Sequence, residues 1–239
     1  VLVLSIDTCD PRGSVAVLRD QEVLIQIAHE SSEDYSVWLL TAVNRALENA
    51  GVAMRAVEAY VVASGPGSFT GVRSGLTTVK AWAEVYGKPI AAVSRLEAIA
   101  SQAWAGAQFS AGCADARRGQ VFGAIYRRQG ESLERVGDEM VIAPGKFIEL
   151  AAGIAENARI AWASTDSGIL VAAEEWCSRE KFDERLEPVS PFMAGAIGRH
   201  GIELLRLGRT TDPLTLDANY VRRTDAELNF KAPATSKGK

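Results

Sequence analysis

Two rhythms of hydrophobic and polar positions divide the first half of the chain. Short apolar, β-branched runs predict strands at Leu2–Ile6, Ser14–Leu18, Val23–Ala28, Ala59–Ala63 and Ile90–Val93. Spacings of three and four predict helices between them. The first runs from Glu33 to Ala50, with Ser31 or Ser32 as its cap, Glu33 and Asp34 in its first turn, and a stop at Gly51. The second carries Val72, Leu76, Val79, Ala83 and Tyr86, and the third extends from Ser94 to about Ala105. The order β-β-β-α-β-α-β-α implies a mixed sheet with helices on its faces. In the first helix, Tyr35, Trp38, Leu39, Leu40, Ala42, Val43, Ala46, Leu47 and Ala50 sweep an arc of roughly 200°. That is about twice what one sheet requires. Either the helix is wedged between sheet and neighbouring helix, or the surplus is a protein-binding face.

The second half begins in the same way. Ser110–Ala114 reads as a strand ending at Asp115, followed by the turn Ala116–Gly119 and the strand Gln120–Tyr126. Near the N-terminus, Ile6-Asp7, the turn through Gly13 and Ser14–Leu18 give the same succession, which is either a duplication or a coincidence. A strand at Arg135–Val141, a helix opened by Pro144, a strand at Arg159–Ala163 and helices at Ile169–Cys177 and Pro191–Leu207 follow. Asn219–Arg222 is extended. These elements predict two similar α/β halves, 1–106 and 107–223, with the last helix open to packing back on the first half, and a flexible polar tail over 224–239. Aspartates at strand ends would then face each other across a cleft, where such folds bind ligands.

Between the fourth strand and the second helix lies Ser64-Gly65-Pro66-Gly67-Ser68-Phe69-Thr70-Gly71. Gly65 and Gly67 allow backbone angles closed to other residues, and Pro66 stiffens the turn. Ser68 or Thr70 caps the helix. The turn is either an anion or partner site at a helix start or a connection that lets helix and sheet pack closely. It lacks the Gly-Lys-Ser/Thr of a P-loop and the glycine spacing of the dinucleotide fingerprint.

Composition narrows the chemistry. The 239 residues are 47% hydrophobic and carry a net charge of −4, with no basic cluster interleaved with aromatics. Unaided nucleic-acid binding is disfavoured, because phosphate neutralisation needs clustered Lys and Arg. Cys9, Cys113 and Cys177 form neither a disulfide framework nor a paired zinc motif and suit a reducing compartment. The apolar start is cut short by Asp7, so it reads as a buried strand rather than a signal, and no run reaches membrane-spanning length. A cytoplasmic location is expected. His29 and His200 are the only histidines and form no helical metal pair, so both are assigned structural roles. No Gly-x-Ser-x-Gly elbow is present. Cys9 lies beside Asp7, whose charge would raise a thiol pKa. Asp7 and Asp115 are candidates for phosphate or Mg²⁺-water contacts, or they cap their turns. Arg117 and Arg118 either meet an acidic partner or ligand or are solvated.

Ile6-Asp7-Thr8, then Gly65-Pro66-Gly67-Ser68-Phe69-Thr70-Gly71-Val72-Arg73, then Asp115-Ala116-Arg117-Arg118-Gly119-Gln120-Val121-Phe122, then Asn219-Tyr220-Val221-Arg222 stand in the order seen in the bacterial TsaB, or YeaZ, family. The chain resembles that family over nearly its whole length. The resemblance implies the actin-like superfold of sugar kinases and heat-shock ATPases, built from two ribonuclease-H-like halves with mixed sheets. It also implies a non-catalytic scaffold and activator in the biosynthesis of threonylcarbamoyladenosine in tRNA. The implied partner is the paralogue TsaD, which holds the metal and transfers the group; the ATPase TsaE joins the pair. The protein would be a homodimer when alone and meet tRNA only through the complex. It would have no metal site or catalytic residue of its own and bind no cofactor tightly, with the joint to a partner left open to ATP or ADP and Mg²⁺. The resemblance places the interface on the first two helices, here at Tyr35, Trp38, Leu39, Ala42, Val43, Ser68, Phe69, Thr70, Arg73 and Leu76; the candidates for nucleotide or phosphate contact are Asp7, Thr8, Asp115 and Arg118. Tyr35 stands where many members carry His. The rival functions are a glycoprotease-like peptidase, a small-molecule kinase of the same fold and a purely structural homodimer.

Overall fold

A computed structural model describes residues 1–30, 32–130, 132–156 and 158–221. The expected cap Ser31, the motif residue Arg222 and the tail 224–239 lie outside the described residues.

The first half contains β1 (Leu2–Asp7), β2 (Ser14–Arg19), β3 (Glu22–Ala28), α1 (Tyr35–Asn49), β4 (Ala59–Gly65), α2 (Phe69–Tyr86), β5 (Ile90–Ser94) and α3 (Arg95–Ala100). Short turns let β1, β2 and β3 form antiparallel hairpins, whereas α1 and α2 supply the crossovers that parallel pairing requires. The sheet order is β3-β2-β1-β4-β5. The second half contains β6 (Phe109–Arg117), β7 (Gln120–Gln129), β8 (Ser132–Ile142), α4 (Pro144–Ala155), β9 (Ile160–Ser164), α5 (Gly168–Val171), α6 (Trp176–Glu180), β10 (Leu186–Pro188) and α7 (Ala194–Arg206). Its sheet runs β10-β9-β6-β7-β8. With β6 set on β1, strand order and every parallel or antiparallel pairing repeat. The repetition is therefore a duplication of topology, not a coincidence. This is the α/β arrangement of two mixed sheets that the actin-like expectation requires.

Alternation along the strands distributes the helices over the two faces of the first sheet. Gly75 of α2 abuts Ile6 and Val62 on one face. Gly198 and Gly201 of α7 abut Ser5, Leu18 and Val61 on the other. The second sheet takes α3 on one face, where Gly112 meets Leu96 and Ala100, and α4 on the other, where Gly123 meets Phe147. A fully buried Trp162 centres the second core, edge-on to Phe147 and Trp176 at 5.9 and 5.6 Å.

Several boundaries move for local reasons. Glu33 and Asp34 precede α1 rather than form its first turn. The ring nitrogens of His29 lie 2.7 and 2.9 Å from the accepting carbonyls of Pro11 and Glu33, which ties the approach to the β1–β2 turn and delays the helix. After Ala100, α3 gives way to tighter bonds from Gln102 to Ile99 and from Ala103 to Ala100, so it ends short of Ala105. The single helix expected over Ile169–Cys177 is two short ones, α5 and α6, separated where Trp176 turns in to reach Trp162. The three-residue β10 is too short to leave a periodic signature.

Candidate functional site

Glycines in the turn between β4 and α2 serve close approach. A Cβ on Gly67 would lie 2.2 Å from the Cys9 carbonyl oxygen, and one on Gly71 would lie 2.1 Å from that of Thr8. Gly65 has φ 115°, in the region that favours glycine. Ser68 N–H donates to the Cys9 carbonyl at 2.7 Å, while the Ser68 hydroxyl caps α2 by accepting from Gly71 N–H. The carbonyls of Thr8 and Cys9 thus occupy the space beside the turn, and close packing describes these glycines.

Behind the turn the charges are largely neutralised within the chain. Asp7 is 0% exposed; its carboxylate accepts from Arg95 Nε at 3.0 Å and from Cys9 N–H at 2.9 Å. Thr8 is also buried, and its hydroxyl donates to the Gly71 carbonyl at 2.7 Å. These two expected phosphate contacts are therefore withdrawn from any ligand, because both side chains are spent on joining β1 to its neighbours. Arg12 spans the joint between the halves, meeting Asp10 at 2.9 Å and Asp166 at 2.8 Å. Asp166 also accepts from Asp115 N–H at 3.2 Å. Donation of its N–H groups to the Asp10 carboxylate holds the Arg12 guanidinium more firmly protonated. Burial pushes Asp10 upward, but the Arg12 hydrogen bonds and the Arg95 charge outweigh it and hold its carboxyl below the usual range.

The remaining two phosphate candidates do reach a cleft of about 590 Å³ between the halves. Asp115 and Arg118 line it, together with Pro66, Phe69, Val72, Phe122 and Tyr220. Asp115 accepts from Arg117 Nη1 at 3.0 Å and from Arg117 N–H at 2.6 Å. Asp10, Asp115 and Asp166 each face an arginine already. That donor set does not suit a Mg²⁺–nucleotide, which needs carboxylates and water rather than carboxylates held by guanidinium. Among the described residues, no three His, Cys, Asp or Glu side chains group so as to hold a metal ion.

Other reactive side chains have structural partners. Burial, then the Asp7 charge, raises the Cys9 thiol; burial pushes Cys113 up to about 12. Both thiols stay protonated and unreactive near neutrality. The ring of His29 packs on Tyr35 and Trp38, and His200 meets Glu97 at 2.9 Å.

The α1–α2 pair presents a second concavity of about 520 Å³. Here five interface candidates prove buried, although Leu39 still lines the concavity. Leu39 is 2% exposed, and Trp38, Ala42, Val43 and Leu76 are buried too. They fill the core because the wide arc of α1 is indeed wedged between the sheet and α2. Outside it stand Val37 at 63% and Leu40 at 54% exposed, on the turns between the buried positions. Tyr35 is half-buried, with its hydroxyl donating to the Asp10 carbonyl. Exposed Ser68, Phe69, Thr70 and Arg73 come from the start of α2. Phe69 stacks on Tyr220 at 5.1 Å; Arg73 Cζ lies 3.8 Å above the Phe69 ring, and its Nε donates to the Tyr220 hydroxyl at 2.5 Å. Val37, Leu40 and Tyr220 were not among the expected site residues. The phase of α1 signals Val37, whereas Leu40 lies within the apolar arc and is set outward only by where α2 packs; Tyr220 lies in a marked motif, but nothing in the sequence gives it a contact.

The family model for TsaD, tRNA N6-adenosine threonylcarbamoyltransferase, matches residues 24–175. The chain is 33% identical over 148 residues to the tRNA threonylcarbamoyladenosine biosynthesis protein TsaB of Bacillus subtilis (strain 168), a match covering 62% of this chain and 65% of that protein, so just under two thirds of the relative is spanned. It is 34% identical over 115 residues to the tRNA N6-adenosine threonylcarbamoyltransferase of Rhizobium meliloti (strain 1021), covering 40% of this chain and 32% of that protein. The structure of YeaZ from Pseudomonas aeruginosa superposes with a TM-score of 0.71 at 26% identity, covering 92% of this chain and 99% of that one. With that fold, that family model and these relatives, the chain belongs to the TsaB/YeaZ family.

Proposed function

We propose that this chain is a non-catalytic scaffold in tRNA threonylcarbamoyladenosine biosynthesis that binds a TsaD-type transferase through α1 and α2. The observation that carries the reading is the exposed apolar pair Leu40 and Phe69 lining the groove, with exposed Val37 three residues before Leu40 on α1, on elements that have no covering layer among the described residues. The TsaD family model spans both helices, so a TsaD-type partner has counterparts of them. Two such helix pairs can meet about a pseudo-twofold axis and bury their strips together. Activation then follows from tighter binding to the competent state of the partner. The same face would serve a homodimer when the partner is lacking. The ATPase TsaE joins the pair. With a net charge of −4, the chain leaves tRNA contact mainly to other subunits and any nucleotide to groups supplied at the joint. Against the peptidase and kinase rivals stand the engaged histidines, the buried thiols and the Asp7–Arg95 pair.

The test mixes the purified chain with the TsaD-type transferase of the same organism and weighs the product by light scattering. A heteromeric complex, lost on Leu40→Glu, is expected, with tRNA modified only when the transferase is present. Modification by this chain alone, or no complex at all, removes the proposal.

A further inference from the structure

We propose that Arg73 is the polar anchor of the groove, built to receive a carboxylate side chain of the TsaD-type partner, with Phe69 and Tyr220 as its positioning residues. This rests on the docking reading above and adds the chemistry that selects the partner.

Arg73 carries the only charge among the described residues lining the groove; its companions there are hydroxyl, aromatic and aliphatic side chains. The guanidinium is fixed on two sides. Its plane lies over Phe69 at 3.8 Å, and its Nε is spent on the Tyr220 hydroxyl. Its terminal nitrogens have no hydrogen-bond partner among the described residues. A long side chain held at its inner nitrogen, with the outer fork left over, has lost rotamer freedom before any partner arrives. The leftover fork matches a carboxylate in bidentate geometry.

Tyr220 is itself held from both halves. The preceding Asn219 donates its N–H to the Ser64 carbonyl at 2.8 Å, and its side-chain amide donates to Glu139 on β8. The marked C-terminal motif thereby acquires a use: it carries the hydroxyl that aims Arg73. The same charge pattern makes a second copy the weaker occupant, taken only when the partner is lacking. Two identical grooves would bring two arginines together while the groove lining offers no carboxylate to separate them.

Calorimetric titration of the TsaD-type transferase into wild type, Arg73→Gln and Tyr220→Phe, at low and high salt, tests this. Arg73→Gln is expected to weaken binding about ten- to a hundredfold and to flatten its salt dependence. Tyr220→Phe keeps the stacked ring and loses only the hydroxyl; it should weaken binding about three- to tenfold with an unchanged melting temperature. If wild type binds and both variants bind equally well, the anchor is wrong while the docking reading stands. If wild type does not bind, or the face joins only copies of this chain, both fall.

Discussion

The carbonyl oxygen of Thr8 lies 2.1 Å from the point where a side chain on Gly71 would begin. The Thr8 hydroxyl closes the same contact by donating to the Gly71 carbonyl at 2.7 Å. Neither backbone can retreat without moving β1 or α2. Gly71→Ala should therefore destabilise the monomer by ~2–4 kcal/mol in urea unfolding, and it is a poor probe of partner binding. Gly153 in α4 has nothing within 4 Å of its virtual Cβ. There, alanine should stabilise by ~0.5–1 kcal/mol. Equal effects at the two sites would contradict the close-approach account.

Arg95 and Asp7 form a buried ion pair at 3.0 Å, with side chains 3% and 0% exposed. Arg95→Met would strand the Asp7 carboxylate away from water, at an expected cost of ~3–5 kcal/mol. Adding Asp7→Asn removes the stranded charge and should restore part of that loss. A double-mutant cycle measures the coupling; additive single effects would mean the pair is not a unit.

What the sequence makes legible follows from how local each signal is. Continuous apolar runs place β1, β2 and β4 within a residue or two, because each is buried on both faces, and helical spacing places α2, which buries one stripe. The duplication shows in the strand–Asp–turn succession at Asp7 and Asp115. The outcome of that succession does not show, because Arg95 takes Asp7 from a distance of 88 residues. A similar long-range effect decides α1. Its broad apolar arc is visible, but whether Leu39 or Leu40 faces outward depends on where α2 packs. Tyr220 meets Arg73 across 147 residues, and periodicity cannot predict such a contact.

Leu39 and Leu40 give the sharpest separation of fold from surface. They are neighbours in sequence, yet one is 2% and the other 54% exposed. Leu39→Glu places a charge in the core and should abolish cooperative unfolding near neutral pH, or cost more than ~3 kcal/mol. Leu40→Glu should change monomer stability by no more than ~0.5 kcal/mol. It should still weaken partner binding severalfold, read by sedimentation. A stable Leu39→Glu monomer would mean that α1 is not seated on the sheet as described.

Glu139 on β8 should give the chain an unusual response to pH. Burial lifts its carboxyl above the ordinary value of 4.5, although the Ser94 hydroxyl and the Asn219 amide donate to it and lower it in part. Between that ordinary value and the higher folded one, the native state keeps a proton that the unfolded chain has released. Stability from this group is therefore full below about pH 4.5 and is lost as pH rises through the folded value. Asp10 acts in the opposite sense and in a separate window: its lowered carboxyl contributes above its ordinary value of 3.8 and loses that contribution as pH falls below it. Glu139→Gln removes the titration and keeps one oxygen acceptor, which the Asn219 amide and the Ser94 hydroxyl must then share. Urea midpoints of this variant should be flatter than wild type above pH 4.5, with the acid limb set by Asp10 unchanged. Parallel curves across that range would show that Glu139 titrates as it does in the unfolded chain, and that its burial between the halves carries no proton linkage.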